Sequence, residues 1–188
     1  MKKDIILAGV GGQGILSIAA VIDWAALKSN LMIKQAEVHG MSQRGGAVQS
    51  HLRISDQIIY SDLIPKGQAD IIISSEPMET LRYLPWLSKD SWIISSSNAF
   101  KNISNYPSEE ILINELRTLP KIRIIDAEKL ARTSGNIKTS NMVILGASSQ
   151  FLDIDINLLM EGIKALFNNK GEDIVTMNIR AFEAGLSA

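Results

Sequence analysis

The chain has 188 residues, a formal net charge of -1 and no cysteine. That length fits one domain with a sizeable core but not separate cofactor and substrate lobes, and the near-neutral charge offers no basic field for nucleic acid or an anionic membrane surface. Without cysteine there is no disulfide, thiolate nucleophile or ligand set for an iron–sulfur cluster, so redox chemistry needs a cofactor held by other means or another chain.

The N-terminal MKKDIILAGVGG has a basic start, but Asp4 interrupts it and its apolar run is short, so it reads as a strand and not as a signal peptide. No stretch reaches the length of a membrane span, and the protein is expected in the cytoplasm. Ile5 to Ala8 predicts a strand buried on both faces, and a helical pattern follows over 13–28. That helix has only Ser17 and Asp23 as polar residues in its body, so more than its own sheet must cover it, and a partner chain is expected there. LMIKQAEV predicts a second strand. AVQSHLRIS alternates, and with IIYSDL it predicts a hairpin, with His51 on its polar face as an ordinary surface residue.

Downstream, ADIIIS predicts a strand and Pro77 the first turn of a helix. SWIISSS and KIRII predict two further strands, the second leading into a short helix, and NMVILGASSQF a packed helical segment rich in small residues. Two helices close the chain, one capped by Asp155 with Leu159, Ile163, Leu166 and Phe167 as its apolar stripe, the other over GEDIVTMNIRAFEAGL. The expected fold over residues 1–188 is a single α/β domain, Rossmann-like and three-layered, with a mostly parallel sheet and an inserted β-hairpin.

Two stretches could carry function. GVGGQGI has the G-x-G-x-x-G spacing at Gly9, Gly11 and Gly14, with Gly12 as an extra glycine and Gln13 beside it, between a strand and a helix. Such a turn serves an anion at a helix N-terminus, or simply lets the helix pack closely on the sheet. A dinucleotide also wants an acid after the second strand, and Glu37, followed by His39-Gly40, is a poor match that favours the structural reading. The second stretch is HGMSQRGG, in which His39, Ser42, Gln43, Arg44, Gly45 and Gly46 combine a guanidinium and other donors with a free backbone. It suits a carboxylate, a phosphate or another chain, the alternative being a solvated loop. The histidines His39 and His51 have no metal-ligand spacing, and Ser95, Ser96 and Ser97 lack a nucleophile elbow.

Taken in order, GVGGQGI, EVHGMSQRGGAVQSHLRI, ADIIISSEPMETLR, TSNMVILGA and MNIRAFEAG resemble the gamma subunit or gamma domain of the 2-oxoacid:ferredoxin oxidoreductases over nearly the whole chain. The HGMSQRGG wording is similar to that of the small (beta) subunit of the indolepyruvate branch. The resemblance implies a subunit of an enzyme that oxidatively decarboxylates a 2-oxoacid to an acyl-CoA with electrons to ferredoxin. It also implies that thiamine pyrophosphate, magnesium and iron–sulfur clusters lie on large subunits, with coenzyme A used by the assembly and no cofactor bound by this chain alone. The glycine turn with Gln13, His39 and the 42–46 loop are then expected to face that partner, and the isolated chain to be inactive and to self-associate. A stand-alone NAD(P) oxidoreductase and a non-catalytic scaffold are the rival readings.

Overall fold

The apolar centre of β1 (Lys2–Val10) has no exposed face, with Ile5, Ile6, Leu7 and Ala8 all fully buried in the computed structural model, which describes residues 1–40 and 45–188. Such a strand belongs in the middle of a sheet covered on both sides. β1 is followed by α1 (Ile15–Lys28), β2 (Met32–His39), β3 (Ala47–Ser55), β4 (Ala69–Ser74) and α2 (Pro77–Arg82). Then come β5 (Leu87–Ser96), α3 (Glu109–Arg117), β6 (Ile122–Ile125), α4 (Ala127–Ser134), α5 (Ser140–Ser148), α6 (Ile156–Phe167) and α7 (Glu172–Leu186). The strands form a six-stranded sheet in the order β2-β3-β1-β4-β5-β6. β1, β4, β5 and β6 pair in parallel, and β3 runs antiparallel to both β1 and β2. The sheet is therefore mixed, as an α/β fold with an inserted hairpin requires.

That hairpin is β2 with β3, joined through residues 40–46, and not β3 with IIYSDL. Residues 57–63 form no strand: both edges of β3 are already taken by β1 and β2, and side chains of β3 bond to parts of the segment's backbone instead. The Arg53 guanidinium donates to the carbonyls of Ser61 and Leu63, while also pairing with the buried Asp4 at 2.8 Å. His51 accepts from the Ile64 N–H at 3.0 Å through Nδ1 and is 4% exposed, not a surface residue. Burial, with the Arg53 charge beside it, pushes its pKa below the ordinary histidine value. Alternation along β3 predicted which side His51 faces, and the 57–66 segment folding over that side is what buries it.

The sheet carries an uneven pair of helical layers. On one face, Ile5, Leu7, Leu52, Ile71, Ile73 and Ile94 pack with α1 and α5, over which α6 and α7 form a further layer. On the other, Ile6, Ala8 and Ile72 meet Ile64 and Tyr83, and α3 packs against α2. Much of the cover over the apolar α1 is thus α6 of the same chain, while Leu16 and Leu27 of α1 stay exposed. Gly162 lets the two helices close up, a Cβ there lying 3.1 Å from the Val21 carbonyl oxygen. α3 is absent from the sequence reading, although Ser108 caps it by accepting from the Ile111 N–H. Only Leu112 and Leu116 of α3 are buried, which leaves a weak apolar stripe. No helix among the described residues is long and apolar enough to cross a membrane.

Candidate functional site

β1, β2, β4, β5 and β6 share a direction, so the segments after them gather at one end of the sheet. The turn after β1 needs its glycines for definite reasons. Gly12 and Gly14 have φ of 101° and 74°, in the left-handed region that favours glycine. A Cβ on Gly9 would overlap the Ser75 hydroxyl. Gly14 is the N-cap of α1, its carbonyl accepting from the Ser17 N–H at 3.0 Å and the Asn141 side-chain amide at 3.2 Å. Gly11 and the 45–46 segment bond reciprocally, Gly11 N–H to Gly46 O at 2.8 Å and Gly45 N–H to Gly11 O at 3.3 Å, which prolongs the β1–β3 ladder beyond Val10 and Ala47.

Gln13 turns inward. Its Oε1 accepts from the Val10 N–H at 2.9 Å and the Ser75 hydroxyl at 2.7 Å, and its Nε2 donates to the Ser75 carbonyl. The residue therefore ties the glycine turn to the segment after β4. His39 ends β2 exposed, 3.2 Å from the Glu37 carboxylate. Ser42, Gln43 and Arg44 lie outside the described residues. On either side of that stretch, Gly40 N–H donates to Ala47 O at 2.9 Å, and Gly45 has φ of 82° with its carbonyl taking the Asn102 amide.

The structure adds a part of this end that sequence reasoning missed, the chain after β5. Asn98 accepts from the Ser96 hydroxyl and the Glu128 N–H, and its amide donates to Asp126, the N-cap of α4, at 2.9 Å. Those bonds hold the Asp126 carboxyl below the ordinary carboxylate range, with the Asn98 amide as the main cause. Glu76, wholly buried, caps α2 through the Glu79 N–H and also accepts from the Phe100 N–H and the Tyr106 hydroxyl. The signal in the sequence was a glutamate directly after an apolar strand and before Pro77. Ser95 and Ser96 are buried and already bonded, to Thr80 and Asn98, so neither is presented as a nucleophile.

The crevice between Gln13, Ser75, Ser96, Asn98 and Glu128 encloses only about 20 Å³. Binding pockets for cofactor-sized ligands run from about 300 to 1,000 Å³. Among the described residues no group of three or more His, Asp or Glu is placed to hold a metal ion. Among the described residues, this end of the sheet is a cross-tied edge.

Residues 4–188 match the profile of the family described as pyruvate ferredoxin/flavodoxin oxidoreductase. Over 199 residues the chain is 38% identical to the indolepyruvate oxidoreductase subunit IorB of Pyrococcus horikoshii, covering 100% of this chain and 96% of that protein. Among solved structures, it is similar to a chain of the 2-oxoglutarate:ferredoxin oxidoreductase of Magnetococcus marinus, determined with 2-oxoglutarate, coenzyme A and succinyl-CoA bound. The TM-score is 0.78 at 21% identity, and the match covers 99% of this chain but 30% of that longer one. The gamma subunit of a keto/oxoacid ferredoxin oxidoreductase from Geobacter sulfurreducens matches over 99% of both chains, with a TM-score of 0.69 at 19% identity. The structural matches establish the same fold.

Proposed function

The chain belongs to the pyruvate ferredoxin/flavodoxin oxidoreductase family, and on that premise we propose that it is the small, cluster-free subunit of an enzyme that oxidatively decarboxylates indolepyruvate or a related aryl 2-oxoacid. The product is an acyl-CoA and the electrons leave to ferredoxin. The observation that carries this reading is the end-to-end match to an indolepyruvate oxidoreductase subunit, at 38% identity over 100% of this chain.

Thiamine pyrophosphate with its magnesium, and the iron–sulfur clusters, belong in this reading to a large subunit. The residues here do not suit them: the chain has no cysteine, and no metal-ligand cluster is found among the described residues. Its contribution is to shape and dock, as a single gamma-type domain over 1–188 in the cytoplasm. The glycine turn at Gly9, Gly11, Gly12 and Gly14 and the loop from His39 through Ser42, Gln43, Arg44, Gly45 and Gly46 form the edge toward the large subunit, with Gln13 bracing it from within. Alone, the chain is inactive, and exposed apolar side chains such as Leu27, Ile58 and Leu63 favour its self-association.

Co-expression with the thiamine- and cluster-binding large subunit tests this. A stable complex is expected to reduce ferredoxin or a dye with indolepyruvate and coenzyme A, with a kcat/KM about tenfold or more above that for pyruvate or 2-oxoglutarate, a margin of roughly 1.4 kcal/mol in transition-state binding. Preference for 2-oxoglutarate would correct the substrate; failure to form any complex would leave the scaffold reading standing. The free chain carrying Arg44→Ala is expected to melt within about 0.5 kcal/mol of the parent. It should nonetheless lose assembly or turnover by about 2–5 kcal/mol, as when a buried charge loses its partner. Arg44→Lys should restore only part, because an ammonium cannot reproduce the bidentate fork. Parental assembly and turnover in Arg44→Ala would remove this loop from the site.

A further inference from the structure

Glu76 spends its two carboxylate oxygens on two different tasks. Oε2 accepts from the Glu79 N–H at 2.8 Å and caps α2. Oε1 accepts from the Phe100 N–H at 3.4 Å and from the Tyr106 hydroxyl, both on the irregular arm of residues 97–107 between β5 and α3. The side chain is fully buried and forms no ion pair among the described residues. A buried carboxylate is costly unless its lone pairs are met, and a short serine, threonine or aspartate would cap α2 as well. Capping therefore does not account for a glutamate here; the longer side chain is what reaches the arm. Burial and the Glu76 bond hold the Tyr106 phenol above its ordinary pKa, so it remains a donor.

The arm in turn reaches the glycine edge. Asn102 Nδ2 donates to the Gly45 carbonyl at 2.6 Å, and a Cβ on Gly45 would stand 3.8 Å from both Asn102 and Phe100. Asn102 keeps this place although its own Oδ1 is buried without a partner among the described residues. Gly45 and Gly46 then bond to Gly11 in both directions. Hydrogen bonds hold both ends of this path, Glu76 to Phe100 and Tyr106 at one end and Asn102 to Gly45 and the turn after β1 at the other, and the main chain of the arm, which turns back through the Tyr106 N–H to the Ile103 carbonyl, joins them.

We propose that Glu76 is a positioning residue for the enzyme's subunit edge: by anchoring the arm it sets where Gly45, Gly46 and Gly11 stand when the large subunit docks. The functional half rests on the reading that this edge meets that subunit; the structural half does not. Hydrogen exchange on the full chain tests the structural half. Tyr106→Phe, which deletes a single donor, and Glu76→Gln should each speed exchange about tenfold in residues 97–107 and also in 45–48 and 11–14, with β4, β5 and β6 unchanged. A residue that only caps α2 would move exchange in 77–83 alone, and that result overturns the proposal.

In the assembled enzyme, Tyr106→Phe and Asn102→Ala should each lower kcat/KM or subunit affinity about tenfold while the melting temperature of the free chain stays within a few degrees. The double variant should lose no more than the worse single, because both cut one path. Fully additive losses, or exchange that spreads to 45–48 with parental assembly and turnover, would also overturn it. If the parent chain forms no complex with a large subunit, the function proposed above fails, and the exchange result still decides the positioning.

Discussion

Asp23 is a residue whose ionisation works against the fold. It sits on α1 above the β2 edge, and its Oδ1 is buried without a partner among the described residues. Burial first, and the Glu37 charge second, push its pKa from 3.8 to about 6. The folded chain therefore holds a proton that the unfolded chain has released once the pH passes 3.8, and stability falls as pH rises from there to about 6 and is flat above. Asp23→Asn should remove this slope. Allowing for the partial exposure of the group, it should raise stability by about 1–3 kcal/mol at pH 7.5 and leave it nearly unchanged at pH 4. Urea denaturation of parent and variant at both pH values measures the difference; an equal gain at both would mean that packing, not charge, sets it. Asp23 was readable from the sequence only as a polar residue in an apolar helix. Gln13 and His51 show the same limit, since pattern places a side chain on a face while its hydrogen-bond partners, Ser75 and Ile64, come from distant segments.

At the scale of elements, the tightest constraint is the crossing of α5 and α7. A Cβ on Gly146 would overlap the Phe182 carbonyl, and one on Gly185 the Val143 carbonyl, so each helix touches the other's backbone. Gly146→Ala and Gly185→Ala should each cost about 3 kcal/mol or more, at the upper end for overpacking, because backbone cannot step aside as a side chain does. At Gly162, between α1 and α6, the nearest atom is 3.1 Å away, so Gly162→Ala should be near neutral, its strain offset by the roughly 1 kcal/mol gain in helix propensity. Thermal melts of the three variants give the order; a mild effect at both Gly146 and Gly185 would mean that the crossing relaxes. The small residues of NMVILGASSQF announced a packed helix, but not which helix met it, because α7 lies some forty residues on. Long apolar elements were readable because periodicity alone defines them. The alternation along β3 predicts the wrong hairpin partner because both edges of β3 are taken by β1 and β2, while Arg53 and His51 bond to the backbone at Ser61, Leu63 and Ile64.

For the molecule as a whole, sheet order decides what the glycine turn is for. In a dinucleotide-binding fold the acid that takes the ribose ends the strand beside the first one. Here β3 stands between β1 and β2, so Glu37 is two strand spacings from the turn, roughly 10 Å across the sheet. Glu37 also meets the Gln35 amide at 2.6 Å and His39 at 3.2 Å. The turn itself is occupied by its own chain: Asn141 sits against Gly14, Gly46 accepts the Gly11 N–H, and Gln13 and Ser75 help close the crevice to about 20 Å³. The G-x-G-x-x-G spacing could be read directly, but an inserted antiparallel strand leaves no mark on it, and this is why the motif alone kept a nucleotide reading open. Calorimetric titration of the purified chain with NADH and NADPH should therefore show no binding tighter than about 1 mM, equivalent to roughly -4 kcal/mol. Micromolar binding of either would require the turn to open, with Gln13 leaving Ser75, and would restore the dehydrogenase reading. Gln13→Ala sharpens the test: it should widen the crevice and still not create a site, because the acid remains one strand too far away.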